Sequence, residues 1–431
     1  MSGPQRQEKV LSRGFWSRFK KRHWEKEPGL FSQLFAPPLI SPSEAFDAAV
    51  RASDLYRQRE RNVAVRFYIE DGEIASDLSK YLPRARDGTL ANYARRISQQ
   101  ISHRQFAFVL GETQTYGLSI WQALRDFLHD FYTHTGIPLQ PAGATLFIGD
   151  YKKTPFGVHR GTSGNFKFIV DGRKRMRLWP SAHFRNDPRG DHFLNYERDL
   201  KASTTLTGCP GDIIYWPSDF WHSGENIGGV ATSLSLALFV EDGLSFRQEV
   251  WNALVRRVEE DLDRDGAARS HSRGDQIDTR RIRGLIAGTG KTFVKTIARP
   301  EVAEAIAARW LNRITGFGFA AVPPPAKANK LKDDSFLRLD PAYPLKWAHH
   351  RDGEIICSAS GHSFLVSAHP SVLKLLHLLN RGDHHRVGDL VDRYAGIRQT
   401  DGCRFEATRA DIRGLLRKLL SLRAITAQSE G

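Results

Sequence analysis

Between residues 143 and 241 the chain is cut into short strand-like segments, each closed by a tight turn. The candidates are 144–149, 165–171, 174–179, 212–216 and 231–240, with Gly172 and Pro210-Gly211 supplying turns. Many short strands at this spacing cannot form a helical bundle; they favour a barrel or a sandwich. Two histidines lie inside the same stretch. His159 stands in Gly157-Val158-His159-Arg160-Gly161, and His222 closes Trp216-Pro217-Ser218-Asp219-Phe220-Trp221-His222.

The flanking regions read differently. Residues 1–42 look irregular and basic, with Arg6, Lys9, Arg13, Arg18, Lys20, Lys21, Arg22 and Lys26 among Phe15, Trp16, Phe19 and Trp24. The simplest expectation is a solvated arm. A charged helix is expected from Ser43 to about residue 58, then strands around Val63–Ile69 and Phe106–Leu110. Ile120, Leu124, Phe127, Leu128 and Phe131 share one face of a helix over 119–133 that stops at Gly136. Residues 245–335 read as helix and linker, ending near Pro323-Pro324-Pro325. In the last part, from 336 to 431, a hairpin around 354–366 precedes three short helices at 370–380, 386–395 and 408–422. The expected domains are therefore 1–42, 43–244, 245–335 and 336–431.

Composition sets limits on function. The 431 residues suffice for two or three domains, and the formal net charge of +15 favours anionic partners such as an acidic peptide, the ribosome surface or nucleic acid. No apolar run reaches the roughly 18 residues that span a bilayer. Three cysteines, Cys209, Cys357 and Cys403, match no zinc site or disulfide framework, so the expected setting is a reducing cytoplasm. Gly288-Thr289-Gly290-Lys291-Thr292 misses the phosphate-loop spacing by one residue, because Leu285 stands where the first glycine is needed; it reads as a loop.

Two histidines and one carboxylate can hold Fe(II) with three positions left open for a 2-oxo acid and O₂. Side chains two apart on a strand share a face, so a ligand strand of this kind carries His-x-Asp or His-x-Glu. Here the frame gives His159 and Gly161, with His222 from a later strand. The stretch 140–242 resembles the JmjC-type cupin oxygenases, which include asparaginyl and ribosomal-protein hydroxylases. The likeness rests on His159, Asn165-Phe166, Asp171-Gly172-Arg173-Lys174-Arg175, Arg177-Leu178-Trp179-Pro180, Pro210-Gly211-Asp212 and Trp216-Pro217 through His222. It implies a mainly β fold, a cupin or double-stranded β-helix barrel. It also implies iron at His159 and His222 and 2-oxoglutarate as co-substrate. Lys174, fifteen residues past His159, would pair with the distal carboxylate of the co-substrate. Asn165 and Ser235 would complete that pocket. His183, His192 and the remaining histidines read as ordinary core or surface residues.

Gly161 offers no ligand atom. A His-x-Gly pattern is similar to that of the 2-oxoglutarate-dependent halogenases, where chloride fills the vacant position. Alternatively, water or another ligand takes the place and the product is hydroxylated, with Asp150, Asp219 and Glu225 the nearby carboxylates in sequence. A third reading is a non-catalytic peptide- or nucleic-acid-binding protein on a degenerate cupin. The C-terminal hairpin and helices resemble a winged helix, as in ribosomal-protein hydroxylases and in modules that bind leader peptides. That likeness implies a homodimer or a leader-peptide site. Arg409, Arg413 and Arg417 share one face of the last helix with Lys418 beside them, a solvated face first and a nucleic-acid reader second. The combined expectation is an enzyme that hydroxylates or halogenates a peptide or protein side chain.

Overall fold

The computed structural model describes residues 14–59, 62–239, 244–263, 279–327, 331–350, 353–396 and 407–428. These fall into two compact units: one runs to residue 240 and takes back 317–324, the other holds 241–316 and 325–431. No described helix is long and apolar enough to cross a membrane. Arg6, Lys9, Arg13, Cys403 and most of the polar segment 266–282 lie outside the described residues.

The first unit contains helices α1 (Phe15–Arg22), α2 (Pro42–Gln58), α3 (Leu90–Gln100) and α4 (Leu118–Thr135). Its strands are β1 (Gly29–Phe31), β2 (Val65–Ile69), β3 (Gly72–Glu73), β4 (Phe106–Leu110), β5 (Gly143–Gly149), β6 (Val158–Arg160) and β7 (Ser163–Asp171). They continue with β8 (Lys174–Trp179), β9 (His192–Phe193), β10 (Thr204–Gly208), β11 (Ile213–Trp216), β12 (Trp221–Asn226) and β13 (Ala231–Phe239). They pair into an eight-stranded sheet, β1-β11-β7-β13-β5-β4-β2-β3, and a five-stranded sheet, β10-β8-β12-β6-β9. Ile169, Ile214 and Trp216 from the large sheet meet Met176 and Leu178 from the small one, so the two pack face to face. Of the barrel and sandwich expectations, the described residues show two facing sheets that no strand pairing closes into one barrel. The strands expected from alternation are present. The short β6, β9, β10 and β12 complete the small sheet; their polar sequences gave no alternating pattern.

The reading of 1–42 as a solvated irregular arm is also corrected. Gly14 starts α1, and the helix buries Trp16 and Phe19 while Arg18, Lys20, Lys21 and Arg22 stay exposed. Trp16 lies 5.0 Å from Phe127 and 5.1 Å from Phe131 of α4, centroid to centroid. Phe19 reaches Phe166 at 5.3 Å and Tyr215 at 4.9 Å. Basic residues on one face and aromatics on the other make this an amphipathic helix that covers the large sheet. The strand β1 then pairs with β11. Ser41, two residues before the expected start, caps α2 through a reciprocal capping box with Glu44.

The second unit holds α5 (Leu244–Asp263), α6 (Thr279–Ile297) and α7 (Pro300–Thr315). Next come β14 (Phe336–Leu339), β15 (Lys346–His349) and the expected hairpin, β16 (Glu354–Ala359) with β17 (His362–Ser367). The three expected short helices are α8 (Pro370–Leu379), α9 (Val387–Tyr394) and α10 (Arg409–Ser421), with β18 (His385–Arg386) before α9 and β19 (Ile425–Gln428) at the end. Thr408 and Asp411 cap α10 reciprocally. The strand β15 adds to the hairpin, and β18-β14-β19 form a second small sheet. Gly288–Thr292 is not a loop: it lies inside α6, so it makes no phosphate cradle.

Burial of α1 generates a stability prediction. Trp16→Ala is expected to lower unfolding free energy by about 3–5 kcal/mol, the usual cost of a buried aromatic truncation. Equilibrium urea unfolding checks this; an unchanged midpoint would restore the solvated-arm reading.

Candidate functional site

The site forms in the gap between the two sheets. In the small sheet β12 lies between β6 and β8, and its register sets His222 opposite His159 and Asn226 opposite Lys174. Side chains on β12 alternate, so His222, Gly224 and Asn226 share one face. The large sheet contributes Ser163, Asn165 and Lys167 from β7, Ser235 and Ala237 from β13, and Thr145 and Phe147 from β5. A cavity of about 190 Å³ results. His159, Gly161, Asn165, Lys174, His222 and Ser235, the six residues singled out in the sequence, all line it.

The two imidazoles are 4.2 Å apart between ring centroids. His159 donates from Nδ1 to the Gly157 carbonyl at 3.1 Å, and His222 donates from Nδ1 to the Phe220 carbonyl at 3.3 Å. With the proton held at Nδ1, each ring keeps its Nε2 lone pair for a ligand. Rings of Phe156 and Trp216 pack on His159 and His222 at 5.0 and 4.9 Å. Burial pushes His159 down to about 4, the nearby charges of His192 and Lys167 adding to it. Burial likewise holds His222 well below the usual histidine range, helped by His159 and Lys167. Both imidazoles are therefore neutral near pH 7, as metal binding requires.

Lys174 is buried and donates to Tyr151 Oη and to Asn226 Oδ1, each at 2.6 Å. Asn226 is oriented in turn by its bond to the Gly149 carbonyl. Thr154 crosses to β12 through Gly224, accepting from its N–H at 2.7 Å and donating to its carbonyl at 2.8 Å. Lys174 thus has two neutral acceptors and no carboxylate on it. Burial lowers its pKa well below the ordinary lysine value. Asn165 donates from Nδ2 to the Ser163 carbonyl at 2.9 Å.

At Gly161 a side chain would meet little: from an added Cβ the nearest atoms are Ser163 Oγ at 3.7 Å and Ser163 N at 3.8 Å. The three carboxylates near in sequence are all engaged elsewhere. Asp150 accepts from the Phe106 N–H at 2.8 Å, Asp219 pairs with Arg160 at 3.8 Å, and Glu225 pairs with Arg177 at 2.6 Å and Arg175 at 3.2 Å. Among the described residues no cluster of three His, Cys, Asp or Glu side chains is disposed to hold a metal. His192 faces His159 across β9 with stacked rings at 5.8 Å, but it is exposed and outside the cavity lining. His183 sits 3.3 Å from Asp199 and belongs to the surface.

The sequence reading missed Lys167, Tyr151, Thr154 and Asn226. Tyr151 and Thr154 stand in the connection between β5 and β6, where no periodicity marks them. Lys167 could have been found: it shares the face of Asn165 two residues on.

No family model matches the chain, and no curated protein matches it in sequence. Among solved structures it is similar to Escherichia coli YcfD at 15% identity and a TM-score of 0.49, over 96% of this chain and 98% of that one. Another structure of YcfD, described as a ribosomal oxygenase in complex with cobalt and succinic acid, aligns at 14% identity and a TM-score of 0.48, over 97% and 99%. A variant of Bacillus subtilis oxalate decarboxylase aligns over 32% of this chain and 26% of that one, at 14% identity and a TM-score of 0.19. Likeness at these scores decides neither fold nor activity, and the site stands on its own geometry.

Gly157 controls the first histidine. Its φ is +69°, and an added Cβ would sit 2.2 Å from the Phe193 carbonyl oxygen. Gly157→Ala is expected to displace the carbonyl that orients His159 and weaken Co(II) binding by about tenfold, a change of about 1.4 kcal/mol. His222→Ala should abolish it. Isothermal titration with Co(II) measures both; wild-type affinity in His222→Ala would remove the pair as a metal site.

Proposed function

We propose that the protein is an Fe(II)- and 2-oxoglutarate-dependent enzyme that oxidatively modifies a peptide or protein side chain. One observation carries this: a single small cavity combines two neutral imidazoles and two buried lysine side chains, with no carboxylate in its lining. A divalent metal suits the imidazoles, and a doubly charged small acid suits the lysines. The cavity is smaller than the roughly 300 Å³ at which drug-sized pockets begin, which favours a compact co-substrate. Iron at His159 and His222 would supply the activation of O₂ by the bound 2-oxo acid. Lys174, pre-set by Tyr151 and Asn226, would receive the distal carboxylate. Asn165 and Ser235 would flank the co-substrate, and the aromatic wall of Phe147, Phe156 and Trp216 would exclude bulk water.

Gly161 sets the product class. The open space beside it has room for chloride or water, giving halogenation in the first case and hydroxylation in the second.

The second unit supports a peptide substrate. The edge strand β17 pairs only with β16 among the described strands, and a groove of about 600 Å³ runs between it and α10. Leu365 is 53% exposed there, and Lys418 lines the same groove. An extended segment, such as a leader peptide, would add to that edge, with Lys418 and Asp411 both beside it. Nucleic-acid reading by α10 is less favoured, because Arg409 and Arg413 are held by Asp392 and Asp333. The α5–α6 hairpin carries exposed Trp251, Ile286 and Val294, a surface a second copy would cover in a homodimer.

The reading is tested by succinate formation from 2-oxoglutarate. It is expected with Fe(II), and expected to vanish in His159→Ala and His222→Ala. Gly161→Asp, placed in open space, should fold normally, bind Co(II) about tenfold tighter, and lose any chlorinated product. Absence of succinate under all conditions, with the metal bound, would instead mark a binding module.

A further inference from the structure

In the reading above Lys167 counts as one of two cavity lysines, but no group of the co-substrate is assigned to it. It is 4% exposed in the middle of β7, and its ammonium lines the cavity. Its contacts are ring faces: Phe147 at 4.3 Å and Trp216 at 5.9 Å from the centroids. The described residues give it no carboxylate and no hydrogen-bond acceptor, in contrast to Lys174 with Tyr151 and Asn226. Ring faces offset only part of the cost of burying an ammonium. A cation left in that state beside an open cavity is matched to an anion that enters it.

The two lysines approach from opposite walls, Lys167 from the large sheet and Lys174 from the small one. The charge of Lys167 reaches Lys174 and both imidazoles. A divalent cation at His159 and His222 and the ammonium form of Lys167 therefore disfavour each other while the cavity holds no anion. Gly161 cannot offset this, because it supplies no negative charge.

Resting on the co-substrate reading, we infer that Lys167 is a second anion-binding residue that makes dicarboxylate and divalent metal bind cooperatively. Lys174 would receive one carboxylate of the acid and Lys167 the other, whose negative charge would offset the repulsion. Coupling of this kind is reciprocal: metal must tighten the acid by the same factor as the acid tightens metal.

Titration calorimetry on the full chain tests this without turnover, using Co(II) and 2-oxoglutarate under anaerobic conditions, each alone and each in the presence of the other. In the wild type, each ligand is expected to tighten the other about tenfold or more. Lys167→Met should bind Co(II) alone more tightly than wild type, lose about tenfold in affinity for 2-oxoglutarate, and show a coupling factor clearly below that of wild type. Lys167→Arg, which keeps the charge, should keep the coupling; circular dichroism shows that each variant is folded. Lys174→Met should lose acid affinity without gaining affinity for Co(II) alone. If Lys167→Met retains wild-type coupling while the wild type binds both ligands, the inference about Lys167 fails and the proposed function stands. If the wild type binds neither, the co-substrate reading itself fails.

Discussion

The pairing of β12 between β6 and β8 is the constraint on which the site depends. One strand sets His222 against His159 at one end and Asn226 against Lys174 at the other. A slip of one residue would turn His222, Gly224 and Asn226 away from the cavity and bring Ser223 and Glu225 into it. The opposite face of β12 resists that slip. Glu225 there is held by Arg175 and Arg177 of β8, an arrangement that a shifted strand could not keep. Gly224 also has to be small, since an added Cβ would meet Lys174 Cε at 3.1 Å and Thr154 Oγ1 at 3.2 Å.

Charge organises the cavity once the strands are in place. Its lining holds two lysines, two neutral histidines and no acid. Carboxylates near the site exist, but Asp150, Asp219 and Glu225 are tied to backbone or arginine partners outside it. Burial drives Lys167 down to about 7, so its ammonium form depends on what shares the cavity. An anion entering a site of this composition would hold its lysines in the charged form and meet no opposing carboxylate.

The first unit was largely legible where its strands alternate. Residues 65–69, 106–110, 144–149, 165–171 and 231–239 show hydrophobic periodicity, and all are strands. The amphipathic face of α4 was equally plain. The N-terminal helix was misread because its basic residues outnumber its aromatics, although Trp16 and Phe19 already stand three apart on one face. The glycines of α6 gave a loop signal that the helix overrode. Short strands with tight turns left barrel and sandwich both open, because local pattern does not determine which edges pair.

The sequence by itself supplied the chemical inventory: two histidines with a glycine where a ligand strand would carry a carboxylate, and Lys174, Asn165 and Ser235 through the resemblance to the cupin oxygenases. Strand alternation is local, so it placed only the His159 and Gly161 frame without tertiary information. Only the tertiary structure decided that these groups share one cavity, that the candidate carboxylates are spoken for, and that Lys167 from the facing sheet joins them. Those outcomes depend on register between strands and on packing between sheets, contacts made across tens of residues that no local pattern encodes.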